Sequence, residues 1–166
     1  MTVALCGSAP LANAGVPGRI TVAGEEFHLK GQGSRSRLTV DLYHCALYVA
    51  EPSTPLDVQE MLESGVAIRV TVTYEDMPHE MPDAWSETLE DEVSRKILTR
   101  LEDAFYELAT GDVILVTYRR DEGTVIYVNR DELLVRRDSG IAKALLQQWL
   151  GPEPVSHSLK QALLGN

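Results

Sequence analysis

The chain lacks the residue patterns that most metal and nucleotide sites require. Its 166 residues include only two cysteines, Cys6 and Cys45, and neither lies in a CxxC motif. No cysteine–histidine cluster has zinc spacing, and there is no P-loop, HExxH, nucleophile elbow or Rossmann glycine motif. We therefore expect no metal and no cofactor. A disulfide between the cysteines would need an oxidising compartment, and two reduced thiols are the favoured interpretation.

Basic residues and long apolar runs are also scarce. The chain has 15 lysines and arginines against 25 aspartates and glutamates, so its net charge is -10. Nucleic acids and anionic membrane surfaces need a basic footprint, which argues against both as partners. No segment approaches the about 20 apolar residues that span a bilayer. A local basic pocket for a small anion stays compatible with this composition.

The length suits one domain with its own core, which we expect over residues 16–166. The first 15 residues, MTVALCGSAPLANAG, are rich in small side chains, and Ala12-Asn13-Ala14 resembles a signal cleavage site. The segment lacks a basic start and a long apolar run. Two interpretations stay open, the remnant of an export signal or a flexible leader, so both a periplasmic and a cytoplasmic location are compatible with it.

Hydrophobic periodicity predicts both strands and helices. In chain order we expect two short strands around Gly24, a strand over 38–49, a helix over 54–65, a strand over 66–76, an amphipathic helix over 83–110, a three-stranded meander over 112–137 with turns at Gly123 and Asn129, and helices over 138–152 and 156–166. Strands and helices come in runs instead of alternating. This favours an α+β domain with a mostly antiparallel sheet and helices on one face.

Scattered polar residues give weak signals for a site. The four histidines, His28, His44, His79 and His157, are far apart in sequence, and structural or exposed positions are favoured for each. The segment YEDMPHEMPD, residues 74–83, gathers carboxylates that could act as acid and base. A solvated loop is favoured because nothing fixes their separation.

The stretch GSRSRLTVDLYHCALYV, residues 33–49, concentrates reactive side chains on one predicted strand. Strand alternation places His44 and Tyr48 on one face and Asp41, Tyr43 and Cys45 on the other. The first face also carries Leu38, Val40, Leu42 and Ala46, so we expect it to be the core face. The second face is mixed and could line a cleft. Periodicity alone favours a structural strand.

Three segments of the chain resemble the chalcone isomerase-like family, most closely its bacterial branch. Residues 33–49 resemble its G-x-R…vYxxxLYv signature, and GDVILVTYRRDEGTVIYVN resembles its G-D…G-T-x-V-x-x-N hairpin. The ending IAKALLQQWLGPEPVSHSLKQALLG resembles the family's long C-terminal motif. The resemblance covers roughly residues 15–165. It implies an open-faced β-sandwich, with an antiparallel sheet packed against a layer of helices and a smaller sheet on its other side.

The family resemblance implies three kinds of function. Some members cyclise chalcones, some bind fatty acids, and some assist flavonoid synthesis without catalysis. The isomerase arginine that holds the substrate and its developing oxyanion falls on Arg35, and in binding relatives the equivalent arginine meets a carboxylate. Where the isomerase has a threonine, this chain has Tyr43, as binding-type relatives do. Where the isomerase has a hydroxyl residue on the helix before the WLG-like ending, this chain has Ala142. The isomerase Tyr/Asn pair has no counterpart in the helix over 83–110.

The distance between Arg35 and Tyr43 makes a prediction about the chain path. On one straight strand, eight residues would separate them by about 26 Å. They can share a ligand only if the chain reverses between them. Gly31, Gly33, Ser34 and Ser36 favour a turn. We therefore expect the strand from Glu25 to end near Ser34, with Arg35 at the reversal and facing the cleft.

Three functional hypotheses follow from the sequence and its resemblance. The first is a non-catalytic protein that binds a small amphipathic anion such as a fatty acid through Arg35 and Tyr43. The second is an isomerase or lyase on an unknown substrate, with Arg35 as electrophile and Tyr43 as acid/base. The third is a structural or interaction module without a ligand, in which Asp41 pairs with Arg35. The sequence predicts no oligomeric state.

Overall fold

The computed structural model describes residues 15–55, 57–76 and 80–165, which form seven strands and five helices. The strands are β1 (Arg19–Val22), β2 (Glu25–Arg37), β3 (Val40–Val49), β4 (Val66–Val72), β5 (Val113–Arg119), β6 (Gly123–Val128) and β7 (Asp131–Arg136). The helices are α1 (Val58–Ser64), α2 (Asp83–Glu90), α3 (Arg95–Tyr106), α4 (Gly140–Leu150) and α5 (His157–Leu163). The predicted leader and Cys6 lie outside the described residues.

The seven strands form one antiparallel sheet in which each strand pairs with the next in sequence, in the order β1 to β7. Short connections join most neighbours, and helices fill the longer connections. Runs of strands followed by helices on one face are what the sequence predicts, so the α+β fold class is confirmed. No helix among the described residues is long and apolar enough to cross a membrane.

One face of the sheet carries the main core, where all five helices pack. We call this cluster the helix-side core. Strand β4 shows the arrangement, because Ile68, Val70 and Val72 are buried in this core. Alternation therefore assigns the faces of β4 correctly. Each helix contributes buried apolar side chains, which include Met61, Leu89, Leu101, Leu145 and Leu159.

The other face of the sheet is covered by the β1–β2 hairpin, which curls over it. A second cluster lies between them, and we call it the hairpin-side cluster; its buried members are Val22, Phe27, Ala46, Tyr48 and Ala67. Arg119 of β5 holds the hairpin turn, since its Nε lies 2.6 Å from Glu25 Oε2. The resemblance implied a separate smaller sheet on this face, but the described strands form a single sheet. The curled hairpin occupies that layer.

The predicted core face of β3 is inverted in the structure. Cys45, Leu47 and Val49, from the face that looked mixed, lie in the helix-side core. Tyr48 is also fully buried, but in the hairpin-side cluster, where its hydroxyl donates a 3.0 Å hydrogen bond to the Pro17 carbonyl. Leu38 is 97% exposed, at the hairpin tip. Periodicity failed here because both faces of this strand are covered.

The helix predicted over 83–110 is two helices, α2 and α3, separated by a turn at residues 91–94. The amides of Glu92 and Val93 both donate to the Leu89 carbonyl, which closes α2. Ser94 is extended, with ψ of 150°, and α3 starts after it. The predicted apolar stripe nevertheless survives the break, because these residues are buried or pack against the helix-side core: Trp85, Leu89, Val93, Ile97, Leu101, Phe105 and Leu108.

The remaining predicted elements are confirmed with small changes of boundary. Asp57 is the N-cap of helix α1, and its carboxylate accepts the Gln59 amide at 2.8 Å. Gly65, with φ of 110°, is the C-cap. The predicted first apolar position of this helix, Leu56, lies outside the described residues. The meander turns at Gly123, whose φ of 89° and contact with the Arg136 carbonyl leave no room for a Cβ atom.

Candidate functional site

The two predicted binding residues are brought together by the β2–β3 hairpin. Arg35 on β2 is the direct cross-strand partner of Tyr43 on β3. Residues that face each other in antiparallel strands project their side chains from the same face, with Cα atoms about 5 Å apart. The prediction that the chain reverses between Arg35 and Tyr43 and brings them close together is therefore correct.

The place of that reversal was predicted wrongly. Strand β2 continues through Arg35 to Arg37, with only a register shift after Arg35, and the chain turns at residues 38–39. Gly31 and Gly33 do not form a turn. They let helix α5 approach the strand, since a Cβ on Gly31 would collide with the Leu163 carbonyl and one on Gly33 would lie 2.8 Å from Ala162 Cβ.

Tyr43 is held against the helix layer by a tryptophan. The Nε1–H group of Trp149, on α4, donates a hydrogen bond of 3.3 Å to the Tyr43 hydroxyl oxygen. Burial raises the pKa of Tyr43 to about 12, and the nearby Arg35 charge lowers it less than burial raises it. The hydroxyl therefore keeps its proton at neutral pH. Within the described residues that proton has no acceptor, so Tyr43 can donate it to a ligand.

An apolar cavity of about 90 Å³ lies between the sheet and the helices beside Tyr43. Three aromatic side chains line it, and Trp85 packs edge-on against both Phe105 and Trp149, with ring centroids 5.4 and 5.9 Å away. The remaining wall includes Val70 of β4. Pockets for small organic ligands measure roughly 300 Å³ or more, so this cavity is smaller than a usual ligand site.

Arg35 is a half-buried cation at the edge of this region, outside the cavity wall. Its Nη1 donates only a long hydrogen bond of 3.4 Å to the Ser36 carbonyl. Asp41, which the third hypothesis paired with Arg35, accepts a hydrogen bond from the Ser36 hydroxyl instead. In the part of the chain that the structure describes, no carboxylate forms an ion pair with Arg35.

Of the other residues that the sequence singled out, Cys45 lies two positions from Tyr43 on the same face of β3 and contributes to the raised pKa of Tyr43. Cys45 is a free thiol in the helix-side core, and burial raises its pKa. Of the predicted acidic loop over 74–83, residues 77–79, including His79, lie outside the described residues, whereas Glu75, Asp76 and Glu80 are exposed. No group of acidic, histidine or cysteine side chains in the described ranges could hold a metal ion.

The histidines take the kinds of position that were favoured for them. His28 is half-buried on β2, 3.5 Å from Glu26, and His157 is exposed at the start of α5. His44 is half-buried, with a pKa lowered first by burial and then by Arg69. None of the three lines the cavity beside Tyr43.

Sequence reasoning missed the aromatic wall of the cavity. It placed Trp85 and Trp149 on the apolar faces of two helices without relating them to each other or to Tyr43. A signal was available, because a buried tryptophan needs an acceptor for its N–H group. The hydroxyl of Tyr43 is that acceptor. Only the fold shows that the two helices meet above this strand.

The raised pKa of Tyr43 predicts a specific loss of stability at high pH. The unfolded chain releases this proton near pH 10, and the folded chain keeps it until about pH 12. Stability from this group is therefore complete below pH 10 and falls as the pH rises through the folded pKa. Relative to Tyr43→Phe, the wild type should lose about 2 kcal/mol across this range. Urea denaturation of both proteins at several pH values measures it, and parallel curves would contradict it.

Two comparisons with known proteins bear on this geometry. The model of the chalcone isomerase-like family matches residues 8–165. The crystal structure of a fatty-acid binding protein from Arabidopsis thaliana resembles the chain with a TM-score of 0.59 and 13% identity, over 90% of each chain. At that identity the likeness shows the shared fold. No curated protein sequence matches the chain.

Proposed function

The chain belongs to the chalcone isomerase-like family, and from that premise we propose that it is a non-catalytic protein that binds a small amphipathic anion such as a fatty acid. Arg35 would take the acid group, and Tyr43 would donate a hydrogen bond to it. The apolar part of the ligand would enter between the sheet and the helices. The observation that carries the proposal is an arginine without an ion pair beside a tyrosine whose proton has no acceptor, both among the described residues.

Electrostatics supports an acidic ligand at this position. A carboxylate can accept two parallel hydrogen bonds from one guanidinium, and Arg35 has most of its donors unused by the described residues. Tyr43, the cross-strand partner of Arg35, would add a neutral hydrogen-bond donor beside the apolar cavity. The similar Arabidopsis protein is a fatty-acid binding protein. The proposal extends that property to this chain on the strength of Arg35 and Tyr43.

The small size of the cavity adds a condition to this proposal. A space of about 90 Å³ has the volume of about three water molecules, which is too small for an acyl chain. To bind one, the protein would have to widen the cavity by moving side chains that line it, which include Trp85 and Trp149. Both tryptophans of the chain are in this wall. Entry of an acyl chain should consequently change the tryptophan fluorescence of the protein.

A binding role is supported over catalysis by the protonation of Tyr43. A general acid or base works best with a pKa near the operating pH, and burial moves this hydroxyl to about 12. Ala142, at the position where the resemblance implies a hydroxyl residue, is buried and cannot donate a proton. We also propose the bacterial branch of the family and a domain over residues 16–166, on the sequence motifs alone.

The direct test is to look for bound lipid and then to add one. Native mass spectrometry after mild purification should show a fraction of the protein with the added mass of a fatty acid. Titration of delipidated protein with a long-chain fatty acid should change tryptophan emission to a saturating value. Methyl esters of the same acids should bind more weakly, because they lack the charge that Arg35 recognises.

Two results would overturn the proposal. The first is a lipid-free protein whose tryptophan emission stays constant as fatty acid is added. The second is cyclisation of a chalcone or related enone, measured as loss of its absorbance, because turnover would make the protein an enzyme. We expect no loss of absorbance in that assay.

A further inference from the structure

A groove with a cationic floor lies on the opposite face of the sheet from Tyr43. Its volume is about 380 Å³, within the usual range for sites of small organic ligands. Ile20 and Val22 of β1 form one side, and Arg69 and Leu115 of the sheet form the other. The curl of the β1–β2 hairpin over the sheet therefore creates this groove. It is larger and more open than the cavity beside Tyr43.

Arg69 is the residue at this groove that lacks an explanation in the fold. It is half-buried in the middle of β4, between Ala46 of β3 and Leu115 of β5. Among the described residues no hydrogen bond or ion pair involves its guanidinium. A half-buried cation without a partner loses hydration and gains nothing in return. Such a residue is costly in a central strand unless it meets an anion.

A second groove-lining arginine shows the contrasting case, in which carboxylates of the protein neutralise the charge. Arg119 also lines a groove, of about 530 Å³, near the turn of the β1–β2 hairpin. Its guanidinium lies within 3.5 Å of Glu25, Asp121 and Glu122, so its charge is neutralised within the protein. The groove of Arg69 has no such carboxylates in its described wall.

The charge at this groove contrasts with that of the whole chain. Arg69 and an exposed Arg130 line it, and no aspartate or glutamate of the described chain does so, although the net charge is -10. The neighbouring His44 has a lowered pKa, caused by burial and then by Arg69. That imidazole is neutral at pH 7, so it adds no charge to the groove. The groove is thus a local positive site.

We propose that this groove is a second binding site, in which Arg69 pairs with the carboxylate or sulfonate of a small amphipathic anion. The apolar body of the ligand lies on Ile20, Val22 and Leu115, and the planar guanidinium of Arg69 gives the anion a bidentate partner. Arg130 at the rim adds positive charge. The site is separate from the one formed by Arg35 and Tyr43, because the sheet stands between them.

The test uses 8-anilinonaphthalene-1-sulfonate, a fluorescent amphipathic anion. The folded wild type should bind it saturably, and the backbone amide signals of Val22, Val113 and Leu115 should shift in NMR spectra. Arg69→Gln should weaken binding by about tenfold or more, since a hydrogen-bonded charge partner is lost. Arg69→Lys should recover part of the loss, because it restores the charge without the planar fork.

Arg37→Gln is the matched control, since it removes one positive charge at an exposed position that lines neither the groove nor the cavity beside Tyr43. It should leave the affinity for this probe unchanged. Lost binding in Arg35→Gln with normal binding in Arg69→Gln would place the probe in the cleft and overturn the groove site, while the fatty-acid proposal would stand. Shifts confined to residues around Tyr43, or no saturable binding, would also overturn it. The mapping on wild-type protein needs no variant to fold.

Discussion

Arg35→Ala should weaken binding of a dansyl-labelled fatty acid by roughly tenfold to a hundredfold, because a charged hydrogen-bond partner of the acid group is removed. Within the described residues the Arg35 side chain forms no ion pair and only one hydrogen bond, a long one to the Ser36 carbonyl. The free energy of unfolding should therefore change little, by about 0.5 kcal/mol or less. A large loss of affinity with unchanged stability is the signature of a ligand contact.

Arg37→Ala is the control that separates a contact from a general charge effect. Arg37 lies two residues further along β2, is exposed, and pairs across the hairpin with Val40. Both variants remove one positive charge from the same hairpin, so long-range attraction changes by nearly the same amount. We expect wild-type affinity for Arg37→Ala. Equal losses of affinity in the two variants would mean that Arg35 acts only through the net charge of the hairpin and does not contact the ligand.

Arg35→Lys tests the geometry of the same contact. A lysine keeps the charge but lacks the planar fork that can donate two parallel hydrogen bonds to a carboxylate. Affinity should fall between those of the wild type and Arg35→Ala. If Arg35→Ala binds the labelled acid as tightly as the wild type does, the acid group lies elsewhere and the proposed site is wrong.

The fold could be predicted from sequence where one face of an element is polar. In β4 the polar positions Arg69 and Thr71 alternate with buried Ile68 and Val70, and their faces were assigned correctly. In β3 both faces are apolar enough to be covered, so periodicity could not tell which one meets the helices. The break between α2 and α3 was missed for a related reason. The apolar spacing continues across residues 91–94, although the helical conformation of the backbone is interrupted there.

Arg35 and Tyr43 are cross-strand partners, and the geometry that brings them together was not predictable from the sequence. The resemblance pointed to Arg35 and Tyr43, and the need for them to meet required a reversal of the chain. The sequence predicts the reversal near Gly31 and Gly33, because glycine favours turns. Their actual role depends on helix α5, more than 120 positions later. A contact at such a separation leaves no local trace in the sequence.

Gly31→Ala should cause the largest loss of stability among the changes considered, about 3 kcal/mol, because an added Cβ would overlap the backbone of α5. The contacting atoms are the carbonyl groups of Ala162 and Leu163, which cannot rotate away as a flexible side chain would. Helix α5 must therefore move off β2. Leu159 and Leu163, both fully or almost fully buried in the helix-side core, lose part of their packing when it does.

The matched control for this change is Gly18→Ala, since a Cβ there would meet no atom within 4 Å and Gly18 needs no positive φ. Its stability should equal that of the wild type or exceed it slightly, because alanine restricts the unfolded chain. Chemical denaturation measures both variants, and hydrogen exchange should show lost protection in α5 of Gly31→Ala alone. Wild-type stability in Gly31→Ala would mean that α5 does not pack on β2 as closely as described. A loss of protection spread evenly over the sheet would instead show that the strand, and not the helix, absorbs the collision.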